Sequence, residues 1–303
     1  MRILVLGGTS FIGRKIVEDA RSSGHELTIF SRGKTNPDLF QGVEGIERRA
    51  GDRTSGDYES LKEGSWDAVV DVSAYVPRHT RQAMDALDAR AGRYLFISTG
   101  SVYDYTRAPD FPDEQCPRLA PIRDTEEITG DTYGPLKVAC EDDVTQRYGD
   151  RATIVRPGIV AGPHDPTDRF TYWARMAGRG GRVEWPGRPE QPMQVVDSGD
   201  LARLVVILLE RDQPGVYNAV GEPMPMPELI AACATGPIEV VSVPDAGWKA
   251  PLVLEDPVWD VMFRRSANLA RAAGMPVTPV AETAAATRAW DQARGEPELK
   301  LPQ

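Results

Sequence analysis

The chain opens with the stretch that decides its fold, Arg2-Ile-Leu-Val-Leu-Gly-Gly-Thr-Ser-Phe-Ile-Gly13. Its apolar first residues predict a short buried strand, and the glycines that follow predict a tight turn into a helix. Gly7 can adopt a turn that a Cβ would hinder, and Gly13 can let the helix approach the sheet closely. The amides at the start of such a helix can receive a pyrophosphate. The stretch therefore predicts a phosphate-binding loop, in which Ser10 replaces the middle glycine of the usual pattern.

The rest of the first half repeats this alternation of strand and helix. Amphipathic helices are predicted near residues 11–23, 78–90 and 134–148, and strands at 2–6, 26–30, 46–50, 67–72, 94–98 and 153–156. Such alternation winds a parallel sheet with helices on both faces. The predicted fold class is therefore α/β, a Rossmann-type doubly wound parallel sheet.

Beyond Pro157 the regular alternation ends. Residues 201–209 predict one more buried helix, whereas Gly, Pro and Trp punctuate 177–192 and Pro and aromatic residues are frequent in 244–263. We predict a Rossmann domain that binds the cofactor over 1–156, with contributions from about 193–221. The remaining residues, 157–303, are predicted to form a smaller, loop-rich substrate lobe.

Composition excludes several classes of protein. The 303 residues carry 35 Lys and Arg against 45 Asp and Glu, a net charge of −10, which disfavours nucleic acid or an anionic membrane as the default partner. The chain contains three cysteines without CxxC spacing, so we expect no metal site and a reducing, cytoplasmic location. No apolar run approaches the roughly 18 residues of a membrane span, so a soluble protein is expected. The acidic run 141–143 is interpreted as a solvated helix face.

The end of the second predicted strand bears on the choice of cofactor. In a dinucleotide fold, an acid at this point hydrogen-bonds the ribose 2′-hydroxyl of NAD. Residues 25–34 carry no acid at the strand end, whereas Arg32 and Lys34 can hold the 2′-phosphate of NADP. The alternative is two solvated loop cations. Asp52, after the third strand, is either an adenine contact or an ordinary turn residue.

Tyr133 and Lys137 lie four residues apart in a predicted helix, so they share one helical face. A phenol is a poor acid or base at neutral pH, but a neighbouring ammonium favours its ionised form. The pair can then exchange a proton with a substrate oxygen during hydride transfer. The spacing alone is common by chance, and it gains weight from the preceding phosphate loop and strands.

The fifth predicted strand ends in Ser98-Thr99-Gly100-Ser101, which places small hydroxyls at the ligand-binding edge of a parallel sheet. With these residues the chain resembles the extended short-chain dehydrogenase/reductase superfamily, and within it the NAD-dependent epimerase/dehydratase family. Pro157-Gly158 and the stretches 195–202 and 215–221 resemble later landmarks of the family. The resemblance thus covers almost the whole chain.

The resemblance implies roles for individual residues. Tyr133 would be the acid/base, Lys137 its electrostatic partner and a ribose ligand, and Thr99 the hydroxyl that binds the reacting oxygen. A homodimer is also implied. The cofactor-binding residues expected for NADP(H) are Gly7, Thr9, Ser10, Phe11, Ile12, Gly13, Ser31, Arg32, Lys34, Asp52, Ser73, Ser98, Lys137 and Pro157.

The substrate is expected at the same edge of the sheet and under the segment that follows the sixth strand. Dehydratases of the family carry Asp-Glu after the threonine, and Gly100-Ser101 here argues against dehydration. Met193 stands where nucleotide-sugar enzymes commonly carry a diphosphate-binding Arg, which argues against such a substrate. The expected substrate-binding residues are Thr99, Ser101, His164, Arg169, Tyr172 and Trp173.

The sequence therefore predicts an NADP(H)-dependent oxidoreductase that acts on a ketone, aldehyde or alcohol of a small to medium molecule, such as a specialised metabolite. One alternative is an epimerase, in which a tightly held cofactor oxidises and re-reduces one carbon. An alternative of another class is a non-catalytic NADP(H)-sensing or RNA-binding protein, since some relatives resemble plastid RNA-binding proteins. Such a protein would not need Thr99, Tyr133 and Lys137 together.

Overall fold

The computed structural model describes residues 1–244 and 247–300. Its longer helices are α1 (Phe11–Ser22), α2 (Pro77–Leu87), α3 (Gly130–Tyr148), α4 (Arg169–Gly178), α5 (Ser198–Glu210), α6 (Met226–Ala232), α7 (Asn268–Ala273) and α8 (Val280–Ala293). The first strands are β1 (Arg2–Leu6), β2 (Glu26–Ser31), β3 (Ile46–Ala50), β4 (Trp66–Asp71), β5 (Ala91–Ile97) and β6 (Ala152–Pro157). The later strands are β7 (Ile159–Ala161), β8 (Gly181–Trp185), β9 (Pro192–Met193), β10 (Val195–Asp197), β11 (Gly215–Ala219), β12 (Met224–Pro225) and β13 (Ile238–Ser242).

Seven strands form one sheet in the order β11-β6-β5-β4-β1-β2-β3, and every neighbouring pair is parallel. The predicted α/β fold with a Rossmann-type parallel sheet is therefore confirmed. The winding direction reverses between β1 and β4, where the carboxyl ends of the strands leave a crevice. Open parallel sheets bind their ligands at such a reversal.

Helices cover both faces of this sheet because the central strands are apolar on both sides. Residues of α1, α5 and α7 pack on one face, and residues of α2 and α3 pack on the other. A third core joins α4, α6 and α8 with the small β8–β13 sheet. The elements around this third core form the lobe, which lies beside the carboxyl edge of the main sheet.

The start of α3 differs from the bounds given by the helical pattern of the sequence. The sequence predicts a helix from residue 134, but α3 begins at Gly130. Thr129 caps it by accepting a hydrogen bond from the Thr132 amide, while Thr132 Oγ1 accepts from the Thr129 amide. This reciprocal cap stabilises the extra turn, and Pro135 remains early enough in the helix to be accommodated.

The acidic run on α3 is not a solvated face, contrary to the interpretation made from its charge. Glu141 and Asp143 are buried, and only Asp142 is partly exposed. Each buried carboxylate has an arginine partner, Arg156 for Glu141 and Arg123 for Asp143. Burial is tolerated because each charge is paired.

The described residues contain no helix that is both long and apolar enough to cross a membrane. Within the same residues, no group of three or more His, Cys, Asp or Glu side chains is arranged to hold a metal ion. Cys116, Cys140 and Cys233 are free and buried.

Candidate active site

The glycine loop between β1 and α1 has the geometry of a phosphate cradle. Gly7 has φ +99°, and a Cβ on it would lie 2.7 Å from Ser73 Oγ. A Cβ on Gly13 would collide with the Gly7 carbonyl oxygen, so both positions require glycine. Asn36 Nδ2 steadies the loop by donating to the Thr9 carbonyl at 2.8 Å. The loop and the start of α1 therefore fit a dinucleotide pyrophosphate.

A first cavity of about 270 Å³ opens beside this loop. Seven of the predicted cofactor residues line it: Gly7, Thr9, Ser10, Ser31, Arg32, Lys34 and Ser73. Arg32 and Lys34 are exposed, and no carboxylate in the described part of the chain lies within 4.0 Å of either cation. Two cations without ion-pair partners therefore stand where the adenosine ribose of a dinucleotide binds in this fold.

Asp52 is not part of the wall of this cavity. Its Oδ1 accepts a hydrogen bond from the Thr54 amide at 2.9 Å. This bond lowers the pKa of Asp52, and the charges of Arg32 and Lys34 lower it further. Asp52 is thus a turn carboxylate at the rim, and the neighbouring Gly51, Arg53 and Thr54 line the cavity instead.

Arg53 is a cofactor-side residue that sequence reasoning missed. It is buried, and its guanidinium donates to both oxygens of Asp71 at 2.8 and 3.2 Å and to Ser73 Oγ at 3.2 Å. Asp71 also accepts from Tyr94 at 2.7 Å. The available signal was an arginine directly after the third strand, facing the same edge as the glycine loop.

A second cavity, of about 370 Å³, continues from the first along the sheet edge. It is lined by the predicted catalytic residues Thr99, Tyr133 and Lys137 together with Ser101 and the cofactor residues Phe11, Ile12, Ser98 and Pro157. Of the predicted cofactor residues, Gly13 and Asp52 line neither cavity. The second cavity is therefore the candidate reaction site.

Close contact between α3 and the segment that follows β5 brings Tyr133 to Thr99. Gly134 approaches the carbonyl of Ser101 so closely that a Cβ would collide with it. Thr99 Oγ1 accepts from the Ser101 amide at 3.2 Å, which fixes the hydroxyl at the start of a short 3-10 turn. The glycine after Tyr133 thus lets the first turns of α3 pack against the end of β5.

Lys137 is 2% exposed and points into the protein. Its Nζ donates to the carbonyl oxygens of Ile97 at 2.7 Å and Ala74 at 2.9 Å, and it lies 4.1 Å from the Phe96 ring centroid. Burial lowers the pKa of Lys137 to about 8, because desolvation disfavours the ammonium. An ammonium with three donors keeps one N–H beyond these two bonds for a ligand.

The pKa of Tyr133 is raised, whereas the sequence suggested that Lys137 would favour the phenolate. Burial is the main cause, and the Thr99 hydroxyl opposes it only in part. The Tyr75 ring stands 6.4 Å away and contributes to the apolar surroundings. The physical reason is that desolvation of the buried phenol outweighs the Thr99 hydrogen bond and the charge of Arg169, which favour its ionised form.

Ser98 belongs to a buried network beneath the second cavity. Its Oγ donates to Glu141 at 2.6 Å, and Arg156 donates to both oxygens of Glu141 at 2.9 and 2.7 Å. Arg156 in turn donates to Tyr103 Oη at 2.9 Å. Glu141 lies one turn after Lys137 on α3, so the network fixes the helix against the strand ends.

Three of the predicted substrate residues line the second cavity, namely Thr99, Ser101 and Arg169, and three do not. Trp173 is fully buried in the lobe core, where its Nε1 donates to Pro251 O at 2.9 Å. Tyr172 packs edge-on against Trp173, and His164 packs against Trp290. His164, Tyr172 and Trp173 therefore line neither cavity, because α4 directs Tyr172 and Trp173 into the lobe and His164, in the loop before α4, packs on Trp290.

Met193 is also fully buried, in the lobe core, and does not line either cavity. A methionine at position 193 therefore does not indicate which substrate the second cavity binds. The cavity wall contains residues that the sequence did not indicate, among them Tyr105, Met262 and Arg265. Met262 and Arg265 lie far from Thr99 and Tyr133 in sequence, and no motif around them would have identified them.

The family model described as the NAD dependent epimerase/dehydratase family matches residues 3–220, and the chain belongs to this family. Among solved structures, vestitone reductase from alfalfa (Medicago sativa) is 16% identical with a TM-score of 0.72, covering 98% of this chain and 99% of that one. UDP-glucuronic acid 4-epimerase from Bacillus cereus, in complex with NAD, is 16% identical with a TM-score of 0.70, covering 97% and 99%. The family model confirms the resemblance, and the two solved structures confirm the fold.

A curated relative is the chloroplast stem-loop binding protein of 41 kDa b of Arabidopsis thaliana. It is 25% identical over 238 residues, which are 73% of this chain. The match spans only 59% of the length of that relative.

Proposed function

We propose that the protein is an NADP(H)-dependent oxidoreductase that reduces a ketone or aldehyde of a small to medium molecule, or oxidises the corresponding alcohol. One observation carries the proposal: Thr99, Tyr133 and Lys137 line a single cavity that continues from a glycine phosphate cradle. A protein that only bound the cofactor would not need an acid/base group, its hydroxyl neighbour and a buried lysine at this point.

A bound nicotinamide supplies or accepts the hydride. Thr99 and Tyr133 hydrogen-bond the substrate oxygen, and Tyr133 gives its proton to that oxygen as negative charge develops there. Burial keeps the Tyr133 phenol protonated, which suits the acid of a carbonyl reduction. Lys137 would hold a ribose hydroxyl of the cofactor with its remaining N–H and would keep positive charge near the phenol.

The preference for NADP(H) is supported by Arg32 and Lys34, which border the first cavity without ion-pair partners among the described residues. A 2′-phosphate would gain charge-assisted hydrogen bonds from them. Asp52 at the rim opposes this preference, because its carboxylate partly offsets the two cations. The B. cereus epimerase, which has a similar fold, was solved in complex with NAD.

Two further functions have support from the comparisons. An epimerase is favoured by the similar fold of the B. cereus enzyme, and it would return its cofactor unchanged after each turnover. An RNA-binding role is favoured by the name of the Arabidopsis relative, and the net charge of −10 argues against it. Net consumption of NADPH would distinguish the proposed oxidoreductase from an epimerase. A gel shift with an RNA stem-loop would distinguish it from an RNA-binding protein.

We also propose a homodimer and a cytoplasmic location. The family resemblance supports the dimer, but Met84, Leu87, Val138 and Val144 on α2 and α3 are buried within their own subunit and do not supply its surface. The free cysteines support a reducing compartment. Light scattering at micromolar concentration should return twice the chain mass of 33.2 kDa, and a mass of one chain contradicts the dimer.

The proposed function is tested by following NADPH oxidation with a panel of ketones and aldehydes. Wild-type protein should consume NADPH with at least one member, and Tyr133→Phe should retain less than about a tenth of the rate, since only the acid hydroxyl is lost. NADPH affinity should stay within about threefold, because Tyr133 lies outside the first cavity. A Tyr133→Phe variant that turns over normally contradicts the assignment.

A further inference from the structure

One wall of the second cavity is a guanidinium from the far end of the chain. Arg265 is 6% exposed and lines this cavity with Thr99 and Gly100. A Cβ on Gly100 would collide with its guanidinium, and a Cβ on Gly158 would lie 2.9 Å from Nη2. The two glycines therefore leave the space that Arg265 fills.

Arg265 has no acidic partner in the described ranges, 1–244 and 247–300. Its Nε donates to the Met262 carbonyl at 3.3 Å and its Nη1 to the Pro157 carbonyl at 3.5 Å, both long bonds. No described carboxylate lies within 4.0 Å of the guanidinium. A buried charge without a counter-ion is costly, so its retention at a cavity wall indicates a site for an anion.

Other buried arginines of the chain are neutralised. Arg53 has Asp71 and Arg156 has Glu141, each at hydrogen-bond distance. Among the buried arginines of the described residues, it is therefore Arg265, on the wall of the second cavity, that lacks a carboxylate partner.

The second cation of the cavity, Arg169, is balanced differently. Its Nε donates to Thr167 Oγ1 at 3.1 Å, and Thr167 donates to Asp165 Oδ1 at 2.7 Å. Asp165 thus places a negative charge near Arg169 through one hydroxyl. Besides Lys137, which two backbone carbonyls engage, Arg265 is left as the cation available to a ligand.

The backbone of Arg265 is held in place by a buried amide. Gln194, 1% exposed, accepts from the Arg265 amide at 2.9 Å and donates to the Arg265 carbonyl at 2.8 Å. It also donates to the Gly221 carbonyl at 2.9 Å. Gln194 is therefore a positioning residue that ties Arg265 to the segment leading into β10.

We propose that Arg265 binds a carboxylate of the substrate and that the substrate is a small oxo acid. The inference rests on the proposed function, in which Thr99 and Tyr133 hold the carbonyl oxygen. Because Gly100 directly follows Thr99 and touches the guanidinium, the carboxylate and the reacting carbonyl lie close together in one molecule. The planar guanidinium offers two parallel N–H donors that match a carboxylate.

The test uses NADPH-loaded protein and matched pairs of 2- and 3-oxo acids with their methyl esters, such as pyruvate, acetoacetate and benzoylformate. Calorimetry should show at least one acid binding about tenfold or more tightly than its ester. Arg265→Met should bring that ratio close to one, and Arg265→Lys should lower it partly, because the charge remains without the fork. Gln194→Leu should weaken acid binding more than ester binding.

Arg211→Met is the matched control, because Arg211 also donates to a backbone carbonyl, that of Ala273, but lines neither cavity. It should leave the ratio unchanged. Equal affinity for acids and esters, a preference that survives in Arg265→Met, or no acid binding at all overturns the proposal. If Arg265→Met does not fold, Arg265→Lys and Gln194→Leu allow the same comparison of acid and ester affinities.

Failure of this inference is distinguishable from failure of the proposed function. If esters consume NADPH better than acids and Tyr133→Phe abolishes that activity, the oxidoreductase stands and the carboxylate site is rejected. If acids bind through Arg265 but no compound consumes NADPH, the binding site stands and the oxidoreductase is rejected.

Discussion

Gly134 lies against the carbonyl oxygen of Ser101, and a Cβ at Gly134 would collide with that oxygen. The contact joins the start of α3, which carries Tyr133, to the loop that carries Thr99. The distance between Tyr133 and Thr99, the proposed acid and its hydroxyl neighbour, therefore depends on a residue without a side chain.

Gly134→Ala should move α3 away from the loop and lower kcat by about tenfold or more, since small displacements of catalytic groups are costly. NADPH affinity should change by less than about threefold, because the glycine cradle is elsewhere. Gly130→Ala is the control in the same helix, because nothing lies within 4 Å of a Cβ there. Equal activity of both variants in steady-state assays would show that the contact does not set the geometry.

The cofactor preference should depend on the two free cations of the first cavity. Wild-type protein is expected to bind NADPH about tenfold or more tightly than NADH, and Arg32→Ala with Lys34→Ala should remove most of that difference. NADH affinity should hardly change, because it lacks the 2′-phosphate. Arg182→Ala, an exposed arginine outside both cavities, serves as control. Fluorescence titrations that give equal affinities for the two cofactors contradict the prediction.

Lys137 should make the free energy of unfolding depend on pH in alkaline solution. Its pKa in the folded protein is about 8, below the ordinary value of 10.5, so between these values the unfolded chain binds more protons. The contribution of Lys137 to stability must therefore rise with pH across this window.

The measurement is the difference in unfolding free energy between wild type and Lys137→Met, from urea titrations at several pH values. This difference should increase by on the order of 3 kcal/mol between the two pKa values. Lys62→Met, at a position whose side chain is 64% exposed, should show no such increase. A flat difference for Lys137→Met would mean that the amine is not desolvated.

Removing one partner of the buried Glu141–Arg156 pair beneath Ser98 should lower the unfolding free energy more than replacing both partners. Glu141→Ala leaves Arg156, whose side chain is 4% exposed, without its counter-ion and should lower the unfolding free energy by about 3–5 kcal/mol. The double variant Glu141→Leu with Arg156→Met should be less destabilised than the single one. Glu59→Ala, in an exposed pair with Lys62, should cost less than about 1 kcal/mol. Chemical denaturation of wild type and the three variants gives the comparison, and a double variant that is less stable than Glu141→Ala would contradict it.

Local patterns were sufficient for the fold and for the centre of the site. The apolar strand followed by Gly7 and Gly13, the alternation of strands and helices, and the four-residue spacing of Tyr133 and Lys137 are all short-range features. Strand pairing in a parallel α/β sheet follows from such features because each βαβ unit closes in one hand. The sheet, the glycine cradle and the grouping of Thr99 with Tyr133 agree with them.

Burial and long-range contacts were decided only by the tertiary structure. The acidic Glu141 of α3 became a core residue because Arg156, from β6, meets it there. Trp173 turned away from the cavity because the lobe offered an apolar core, and Arg265 entered the cavity from more than a hundred residues beyond Tyr133. Desolvation by distant segments likewise sets the direction of the Tyr133 and Lys137 pKa shifts. Burial, ion pairing and pKa shifts depend on which remote side chains come together in the fold. The local order of residues does not contain that information.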